Sequence, residues 1–190
     1  VIGADGSERE VDAIILGTGF QVTDFPGMGI IHGRDGRPLT EVWDGSPVAH
    51  RCTTVAGFPN LFVLGGPNIG IGHTSLVEMV EHQYPYVLGA LAEIEARGGA
   101  VLEVRPQAQQ RFVEQLDRKM ERTVWLTGGC DSWYLDRKGR NSTLWPDWTD
   151  AHRSLLERFQ VSEYEVERPP AEAAMADEGA TGAAELAARK

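Results

Sequence analysis

A turn rich in glycine lies between an apolar segment and a sequence with helical periodicity. Residues 65–72 contain four glycines, a proline and an asparagine, and residues 61–64 before them are apolar at every position. Glycine lets the backbone approach a bound group closely, and free amide hydrogens at the start of the following helix carry partial positive charge. Such a turn at the carboxyl end of a central strand favours a ligand over a bare strand-to-helix connection.

This ligand is not predicted to be the pyrophosphate of a dinucleotide. The nearest match to the Gly-x-Gly-x-x-Gly fingerprint begins at Gly70, and Ser75 takes the position of its third glycine. The acids at the distance expected for a ribose contact, Glu93 and Glu95, fall within a predicted helix. No Gly-Lys-Ser or Gly-Lys-Thr follows, so a phosphate-binding loop is excluded as well.

Other site chemistries have weaker support. The five histidines are scattered at positions 32, 50, 73, 82 and 152, which argues against a metal site, and no Gly-x-Ser-x-Gly elbow is present. His73 stands just before the helix, where it could contact a ligand or serve as a hydrogen-bonded loop histidine. Four of the five tryptophans lie beyond residue 124, where they favour either packing or a loop that closes over an aromatic ligand.

The helix after the turn has the clearest pattern. Ser75 and Glu78 have the spacing of a capping box. Pro85 leaves a carbonyl of the preceding turn without a partner and predicts a kink, and Gly98-Gly99 predicts the end of the helix. One apolar stripe is expected to be buried, formed by Leu76, Val80, Tyr84, Val87, Leu91 and Ile94.

Two hairpins are predicted before the turn, and a strand and a helix after it. The turn signal Asp5-Gly6 precedes an apolar arm at residues 11–16, and Asp35-Gly36 separates a second pair of arms. Residues 100–104 have the pattern of a strand. Residues 107–123 have the pattern of a helix whose buried face carries Phe112, Leu116 and Met120.

Composition and charge limit the classes of function. The 190 residues are 42% hydrophobic and 24% charged, as expected of a globular chain with a core. The net charge of −10 argues against nucleic acid and anionic membranes as partners. The apolar runs are too short to cross a bilayer, and no signal peptide is recognised. Cys52 and Cys130 fit a reducing cytoplasm, and the start at Val1 suggests part of a longer protein.

Several short motifs resemble, in order, those of class B flavoprotein monooxygenases. Residues 11–20, VDAIILGTGF, resemble the strand and ATGF-type segment of that family, with Gly17 in place of its alanine. Residues 56–62, AGFPNLF, and residues 65–68, GGPN, resemble the segment that returns to the flavin domain. Ser132-Trp133-Tyr134 and Gly139-Arg140-Asn141 resemble the C-terminal part of the Baeyer–Villiger monooxygenases in particular.

The resemblance covers about residues 1–160 and implies an α/β fold. The chain would be a C-terminal fragment of a flavoprotein with two Rossmann-like dinucleotide-binding domains. The implied division is the end of an NADP-binding domain at 1–20, a crossover at 21–60, the C-terminal part of an FAD-binding domain at 61–168, and a flexible tail at 169–190.

The same resemblance implies an enzyme that uses FAD and NADPH. In that family NADPH reduces FAD, and a C4a-peroxyflavin transfers one oxygen atom from O2 to a ketone or soft heteroatom of a small-molecule substrate. Catalytic residues and the site for the FAD pyrophosphate are expected upstream of Val1, in an N-terminal portion of the same enzyme. The chain alone is therefore expected to be inactive.

The resemblance also implies roles for individual residues. The turn would contact the flavin ring system, where the positive end of a helix suits the negative charge of the reduced form. Trp133 would belong to a mobile loop over the nicotinamide, and Ile69, Ile71 and His73 would line the substrate side. The residues expected near the flavin are Gly66, Pro67, Asn68, Gly70 and Gly72.

Two alternatives stay open on the sequence. A flavoprotein of the disulfide-reductase type also ends its flavin domain with a strand, a turn and a helix, although this chain carries no redox cysteine pair. The other alternative is a truncated, non-catalytic remnant that binds a partner.

Overall fold

The structure is a computed structural model that describes residues 1–18, 26–129 and 132–168. Short helices surround one small sheet in these residues. The α-helices are α1 (Leu39–Trp43), α2 (Leu76–Glu81), α3 (Gln83–Ala96), α4 (Pro106–Met120), α5 (Val124–Thr127) and α6 (Thr149–Leu156). The strands are β1 (Val101–Val104) and β2 (Tyr164–Glu167), and 3-10 helices span Pro26–Ile30 and Val161–Glu163. None of the described helices has both the length and the apolar character needed to cross a membrane.

The sheet consists of β1 and β2, which pair antiparallel from Val101 opposite Glu167 to Val104 opposite Tyr164. The alternate residues Leu102 and Val104 of β1 are buried in a cluster with side chains of α3, α4 and α6. The strand predicted at residues 100–104 is therefore confirmed.

The helix predicted at residues 107–123 is confirmed as α4. It begins at Pro106, where a missing amide hydrogen costs nothing and the fixed φ suits a first helical residue. Leu116 and Met120 are buried, and Phe112 packs partly buried beside them. Basic residues in its last turn lie at the negative end of the helix dipole, which they stabilise.

The helical segment after the glycine turn is broken at His82, between α2 and α3. Pro85 has no amide hydrogen, so the helix cannot pair the carbonyl of Glu81, and the predicted kink is confirmed. The predicted end is confirmed too. Gly98 and Gly99 follow α3 with φ of 68° and 83°, and the Gly99 amide donates to the carbonyl of Ile94 over 2.9 Å.

The predicted apolar stripe of this helical segment was wrong. Apolar residues occur on several sides of α3, so their spacing alone does not select the face that packs inward. Three members of the predicted stripe are about half exposed, namely Leu76 (52%), Tyr84 (48%) and Leu91 (47%). The fully buried residues are Met79, Gln83, Tyr86 and Ala90.

Both turn signals near the start of the chain form turns. Gly6 and Gly36 each have φ of 78°, and isolated antiparallel bridges join residue 2 to residue 8 and residue 32 to residue 38. The second hairpin is confirmed. In the first, the returning arm pairs at residue 8, and residues 11–16 make no strand pairing within the described chain.

The strand predicted at residues 61–64 was also wrong for the described residues, where this segment has no strand partner. The Val63 amide donates to the carbonyl of Thr53, and the Leu64 side chain is exposed. A strand that is apolar at every position needs sheet neighbours and cover on both faces, which no described segment supplies.

The glycine turn is nevertheless anchored in a core cluster. Buried residues from five parts of the chain meet there, namely Cys52, Ile69, Met79, Leu116 and Trp145. They join the turn to α2, to α4 and to the segment before α6, so the position of the turn is fixed by apolar packing.

A part-buried ion cluster ties the 3-10 helix before β2 to the chain that precedes the glycine turn. Glu163 accepts hydrogen bonds from Nε2 of His50 over 2.9 Å and from Nε of Arg51 over 2.7 Å. Burial raises the pKa of Glu163, but the hydrogen bonds from His50 and Arg51 outweigh burial and lower the pKa to about 2. The carboxylate is therefore charged in the folded protein at neutral pH.

Candidate functional site

The backbone of the glycine turn is one that its residue types permit. Gly65 and Asn68 have φ of 69° and 58°, in the left-handed region that glycine adopts freely and asparagine tolerates. A Cβ atom on Gly70 would lie 2.7 Å from the carbonyl oxygen of Thr143, so protein packing itself requires glycine there. A Cβ atom on Gly72 would reach the Trp125 ring at an ordinary 3.5 Å, and packing does not explain that glycine.

Gln83 holds the first half of the turn against α3. Its side-chain oxygen accepts a hydrogen bond of 2.9 Å from the Gly65 amide. Its side-chain nitrogen donates to the carbonyls of Cys52 and Val63, over 2.8 and 3.1 Å. A polar side chain can be fully buried here because its donors and acceptor are paired.

Asn68 holds the second half of the turn. Its side-chain nitrogen donates to the carbonyls of Asn141 and Leu144, over 2.8 and 3.0 Å, and its oxygen accepts from Nη2 of Arg140. The side chain was predicted to lie near a cofactor. The structure places it inside the protein, where it positions the turn.

Arg140 was not predicted as a functional residue. It was part of a motif that carried the family resemblance, but no role was predicted for it. Its Nε donates to Asp117 of α4 over 2.8 Å, its Nη1 to the carbonyl of Pro47 over 2.9 Å, and its Nη2 to Asn68 over 2.9 Å. One guanidinium thus joins three segments around the turn.

Gly70 pairs with the segment that leads to α6. Its amide donates to the carbonyl of Thr143 over 2.8 Å, and its carbonyl accepts from the amide of Trp145 over 2.7 Å. These bonds form a short parallel bridge between Gly70 and Leu144. The residues after Gly70 are thereby brought beside the tryptophan-rich segment.

The start of α2 presents unpaired backbone donors. Ser75 is the N-cap residue, with φ of −90° and ψ of 127°, but its side chain makes no capping hydrogen bond, so the capping-box prediction was wrong. The amides of Leu76, Val77 and Glu78 have no hydrogen-bond acceptor among the described residues. Free amides at the positive end of a helix suit an electron-rich acceptor.

Residues shortly before α2 line an open cleft of about 510 Å³. Ile71, Gly72 and His73 form part of its wall, and the His73 ring meets the edge of Trp148 at 6.2 Å between centroids. The volume and the apolar lining suit a small organic molecule. The rest of the wall consists of Thr123, Trp125, Leu144, Trp145, Pro146, Asp147 and Trp148. We call this the aromatic cleft.

The predicted site residues are divided between the cleft and the core. Ile71, Gly72 and His73 line the aromatic cleft. Ile69 packs in the core cluster with Cys52 and Met79, and Pro67 is buried as well. Gly66 lies tightly against the carbonyl of Cys52, which a Cβ atom would approach to 3.0 Å.

Trp133 is outside the cleft wall but is connected to it by aromatic contacts. Its ring lies 4.1 Å from the ring of Tyr134, which lies 5.0 Å from the ring of Trp125 in the cleft. Half of Trp133 is exposed, and residues 130–131 just before it lie outside the described chain. Its place over a nicotinamide stays a prediction.

A buried histidine pair supports the cleft from behind Trp145, whose ring lies 5.1 Å from that of His152. The Nδ1 atoms of His82 and His152 are 3.3 Å apart, and Nε of Arg153 donates to Nε2 of His82. His82 must therefore carry its hydrogen on Nδ1 and donate it to His152. Burial, with a smaller effect of His82, lowers the pKa of His152 to about 4.

The cysteine and metal chemistry of the chain is limited. Cys52 is fully buried, and burial raises its pKa to about 12, so it stays a thiol at neutral pH. Cys130 lies outside the described residues. Within the described ranges, no cluster of three or more His, Cys, Asp or Glu residues could hold a metal ion.

The sequence is similar to curated monooxygenases over most of its length. It is 49% identical over 171 residues to a Baeyer–Villiger monooxygenase of Pseudomonas aeruginosa, matching 90% of this chain and 32% of that protein. It is 46% identical over 190 residues to a Baeyer–Villiger monooxygenase of Streptomyces coelicolor, matching 96% of this chain and 37% of that protein. The chain thus spans about a third of the length of these relatives. No family model matches it.

Solved structures share the fold. The closed crystal structure of cyclohexanone monooxygenase matches with a TM-score of 0.66 at 24% identity, over 88% of this chain and 32% of that one. The structure of OTEMO in complex with FAD and NADP matches with a TM-score of 0.56 at 23% identity, over 71% and 25%. The predicted α/β flavoprotein fold is confirmed by these likenesses. Over the third of their length that it spans, the chain belongs to the Baeyer–Villiger monooxygenases.

Proposed function

We propose that this chain is the C-terminal part of a monooxygenase that uses FAD and NADPH to insert one oxygen atom from O2 into a ketone or a soft heteroatom. The observation that carries the proposal is the identity of nearly half of the aligned residues with two Baeyer–Villiger monooxygenases. The FAD and NADP bound to OTEMO, a protein of the same fold, support the choice of cofactors.

The start of α2 fits the flavin ring system rather than its phosphates. The free amides of Leu76, Val77 and Glu78 are donors, and the pyrimidine edge of an isoalloxazine carries acceptors that become more negative on reduction. Gly72 adds no side chain next to these donors, so a flat ring could approach the backbone. The exposed side chains of Leu76 and Val77 would add apolar contact.

Bound at this position, the flavin would supply NADPH-driven reduction and O2 activation, which no amino-acid side chain provides. The contribution of this chain would be to position the flavin ring and to exclude water from the site. Gln83 and Asn68 hold the turn in one shape, and the amides of α2 orient the ring edge. The walls of the aromatic cleft, among them Ile71 and Trp145, would keep water from the reacting substrate.

The rest of such an enzyme would cover two apolar surfaces of this chain. Ile14, Ile15 and Leu16 are exposed near its start, and Leu64 and Leu88 are exposed around the turn and α3. In the proposed enzyme these exposed side chains would pack against the rest of the protein. We assign residues 1–20 to the end of the NADP-binding domain, 21–60 to the crossover and 61–168 to the FAD-binding domain.

The alternative of a disulfide-reductase-type flavoprotein has less support. Such an enzyme needs a reactive thiolate next to its flavin, and the only cysteine of the described residues is buried with a raised pKa. The curated relatives that span most of this chain are monooxygenases by name.

A chimera tests whether the segment is functional. This chain would replace the matched segment of the Pseudomonas aeruginosa enzyme, with that enzyme as control. We expect a yellow protein with about one FAD per chain that consumes NADPH and forms ester or sulfoxide from a panel of ketones and thioethers. A folded chimera that holds FAD but forms no product would support the non-catalytic remnant instead.

The isolated chain provides the complementary test. We expect it to retain no stoichiometric FAD and to oxidise no NADPH, because it contains no pyrophosphate-binding fingerprint. Flavin-dependent NADPH turnover by the purified 190-residue chain would contradict the domain assignment, whatever the chimera does.

A further inference from the structure

A second cleft adjoins the aromatic cleft at the C-terminal end of α4. It has a volume of about 540 Å³ and shares Pro146 and Asp147 with the aromatic cleft. Its remaining lining residues are Gln115, Arg118, Lys119 and Arg122. Three positive side chains thus border this basic cleft, in a chain whose net charge is −10.

Two of the three positive side chains have no ionic partner within the part of the chain that the structure describes. Lys119 donates to the carboxylate of Asp147 over 2.5 Å, and this hydrogen bond lowers the pKa of Asp147, so the two form a neutral pair. Arg118 and Arg122 have neither an ion pair nor a side-chain hydrogen bond to any described residue. No described side chain therefore competes with an anion for these two guanidinium groups.

The acidic residues near them on α4 do not line the basic cleft. Asp117 is paired with Arg140, and Glu114, which keeps its charge, lines neither cleft. Glu121 is exposed after the end of α4 and lines neither cleft. The basic cleft keeps a positive excess next to an apolar wall.

The other half of the combined site is aromatic. Trp125, Trp145 and Trp148 border the aromatic cleft, and the Trp148 side chain is 76% exposed. Tryptophan faces at a cleft provide large apolar area and stack on ring systems. Arg122 lines the basic cleft and the next residue, Thr123, lines the aromatic cleft, so the two clefts meet at consecutive residues.

We propose that the two clefts form one binding site for an amphipathic organic anion. Its ring system lies among the tryptophans of the aromatic cleft, and its carboxylate is bound by Arg118 and Arg122. That this anion is the oxygenation substrate, a ketone or thioether with an acidic group, rests on the proposed function. The binding itself needs neither FAD nor NADPH.

Binding is tested on the 190-residue chain with a matched pair of probes. The first is 6-acetyl-2-naphthoate, and the second is 2-acetylnaphthalene, which has the same ring and ketone but no charge. Titration by quenching of tryptophan fluorescence should show that the carboxylate binds about tenfold more tightly, the effect of one charge-assisted interaction. Added salt should weaken the binding of the carboxylate alone.

Variants locate the two halves of the site. The double variant Arg118→Gln/Arg122→Gln should remove the tenfold preference for the carboxylate and leave the neutral probe unchanged. The control is Arg111→Gln, on the same helix but outside both clefts, which should change neither. Trp148→Ala should weaken the binding of both probes. Thermal melting of each variant shows that it is folded before titration.

Four results would overturn the proposal. The first is equal affinity of the chain for both probes, and the second is an equal loss in the Arg111→Gln control. The third concerns NADP, which is also an anion with an aromatic ring. Tighter binding of NADP that is lost in the double arginine variant would assign the site to the cofactor. A catalytic chimera without carboxylate preference would refute this inference and leave the proposed function intact.

Discussion

The guanidinium of Arg140 donates a hydrogen bond of 2.9 Å to the side-chain oxygen of Asn68, at a residue whose φ is 58°. Asn68 in turn donates from its side-chain nitrogen to two carbonyls of the segment before α6. The shape of the glycine turn thus depends on a polar contact between residues 72 positions apart.

Asn68→Ala should lower the free energy of unfolding by about 3 kcal/mol, because buried hydrogen bonds are lost and alanine is strained at positive φ. Asn68→Gly loses the same bonds without that strain and should be about 1 kcal/mol more stable than the alanine variant. Urea denaturation measures both values. An alanine variant as stable as the parent protein would contradict the role assigned to Asn68.

Gly70→Ala should destabilise the fold by about 2 kcal/mol, since its Cβ atom would lie 2.7 Å from the Thr143 carbonyl oxygen. Gly72→Ala is the matched control and should change stability by less than about 0.5 kcal/mol, because its Cβ atom reaches Trp125 at a normal distance. Melting curves of the two variants compare them directly.

A second substitution at Gly72 distinguishes a packing role from a contact with the cofactor. In the chimera, Gly72→Val should lower the ratio of flavin to protein, because a branched side chain would stand where the ring approaches the backbone. Normal flavin occupancy in the folded Gly72→Val variant would refute the contact with Gly72.

Stability should fall between pH 7 and pH 5 because of the histidine pair. The pKa of His152 is lowered to about 4, and that of His82 is lowered too. Between pH 7 and pH 5 the unfolded chain therefore binds protons at these histidines, whereas the native pair stays neutral. This contribution is complete above about pH 6.5 and decreases by about 2 kcal/mol at pH 5. Denaturant unfolding at several pH values measures this. The free energy of unfolding of His152→Phe should depend less on pH between pH 7 and pH 5 than that of the parent protein. Between pH 7 and pH 9 the two proteins should show the same pH dependence.

Glu163→Gln should cost about 2 kcal/mol at pH 7, since it removes the charge that His50 and Arg51 bind. The pKa of Glu163 is lowered to about 2, so its contribution is complete above about pH 4.5 and is lost as the pH falls towards 2. Glu165→Gln, which removes an exposed pair with Arg105, should cost less than about 0.5 kcal/mol. Similar losses in both variants would contradict the importance of the part-buried ion cluster.

Trp133→Ala in the chimera should leave FAD bound, weaken NADP and divert NADPH to hydrogen peroxide. A ring that covers the nicotinamide would exclude water from the flavin, and the exposed half of Trp133 is available for that contact. Trp133→Phe, which keeps a ring against Tyr134, should retain part of the coupling. The measurement compares NADPH consumed with product and peroxide formed. Unchanged coupling and NADP affinity would rule out a lid role.

Local patterns predicted the elements that are stabilised by near neighbours. α4, β1, the kink at Pro85 and the glycine-terminated end of α3 follow from residue type and spacing, and all four are confirmed. The buried face of α3 could not be predicted in this way, because it includes Gln83, whose hydrogen-bond partners are all more than 17 positions away in the sequence.

The candidate site was predicted in part for the same reason. Ile71, Gly72 and His73 adjoin a helix start and were expected at a site, and they line the aromatic cleft. The role of Arg140 depends on Asp117 and Pro47, which are distant in sequence. The basic cleft was missed because Arg118 belongs to an otherwise ordinary amphipathic helix and Arg122 to the turn that follows it, and neither position has a pattern that indicates a binding site.

The internal bonding of the glycine turn has a consequence for how a ligand would be recognised there. Gln83, Asn68 and Thr143 already satisfy the amides and carbonyls that set its shape. A ring that docks on it would not have to immobilise a loop, so little conformational entropy would be lost on association. Affinity would then respond mainly to the chemistry of the ring edge, and substitutions that loosen the turn would weaken ligands of every class by a similar factor.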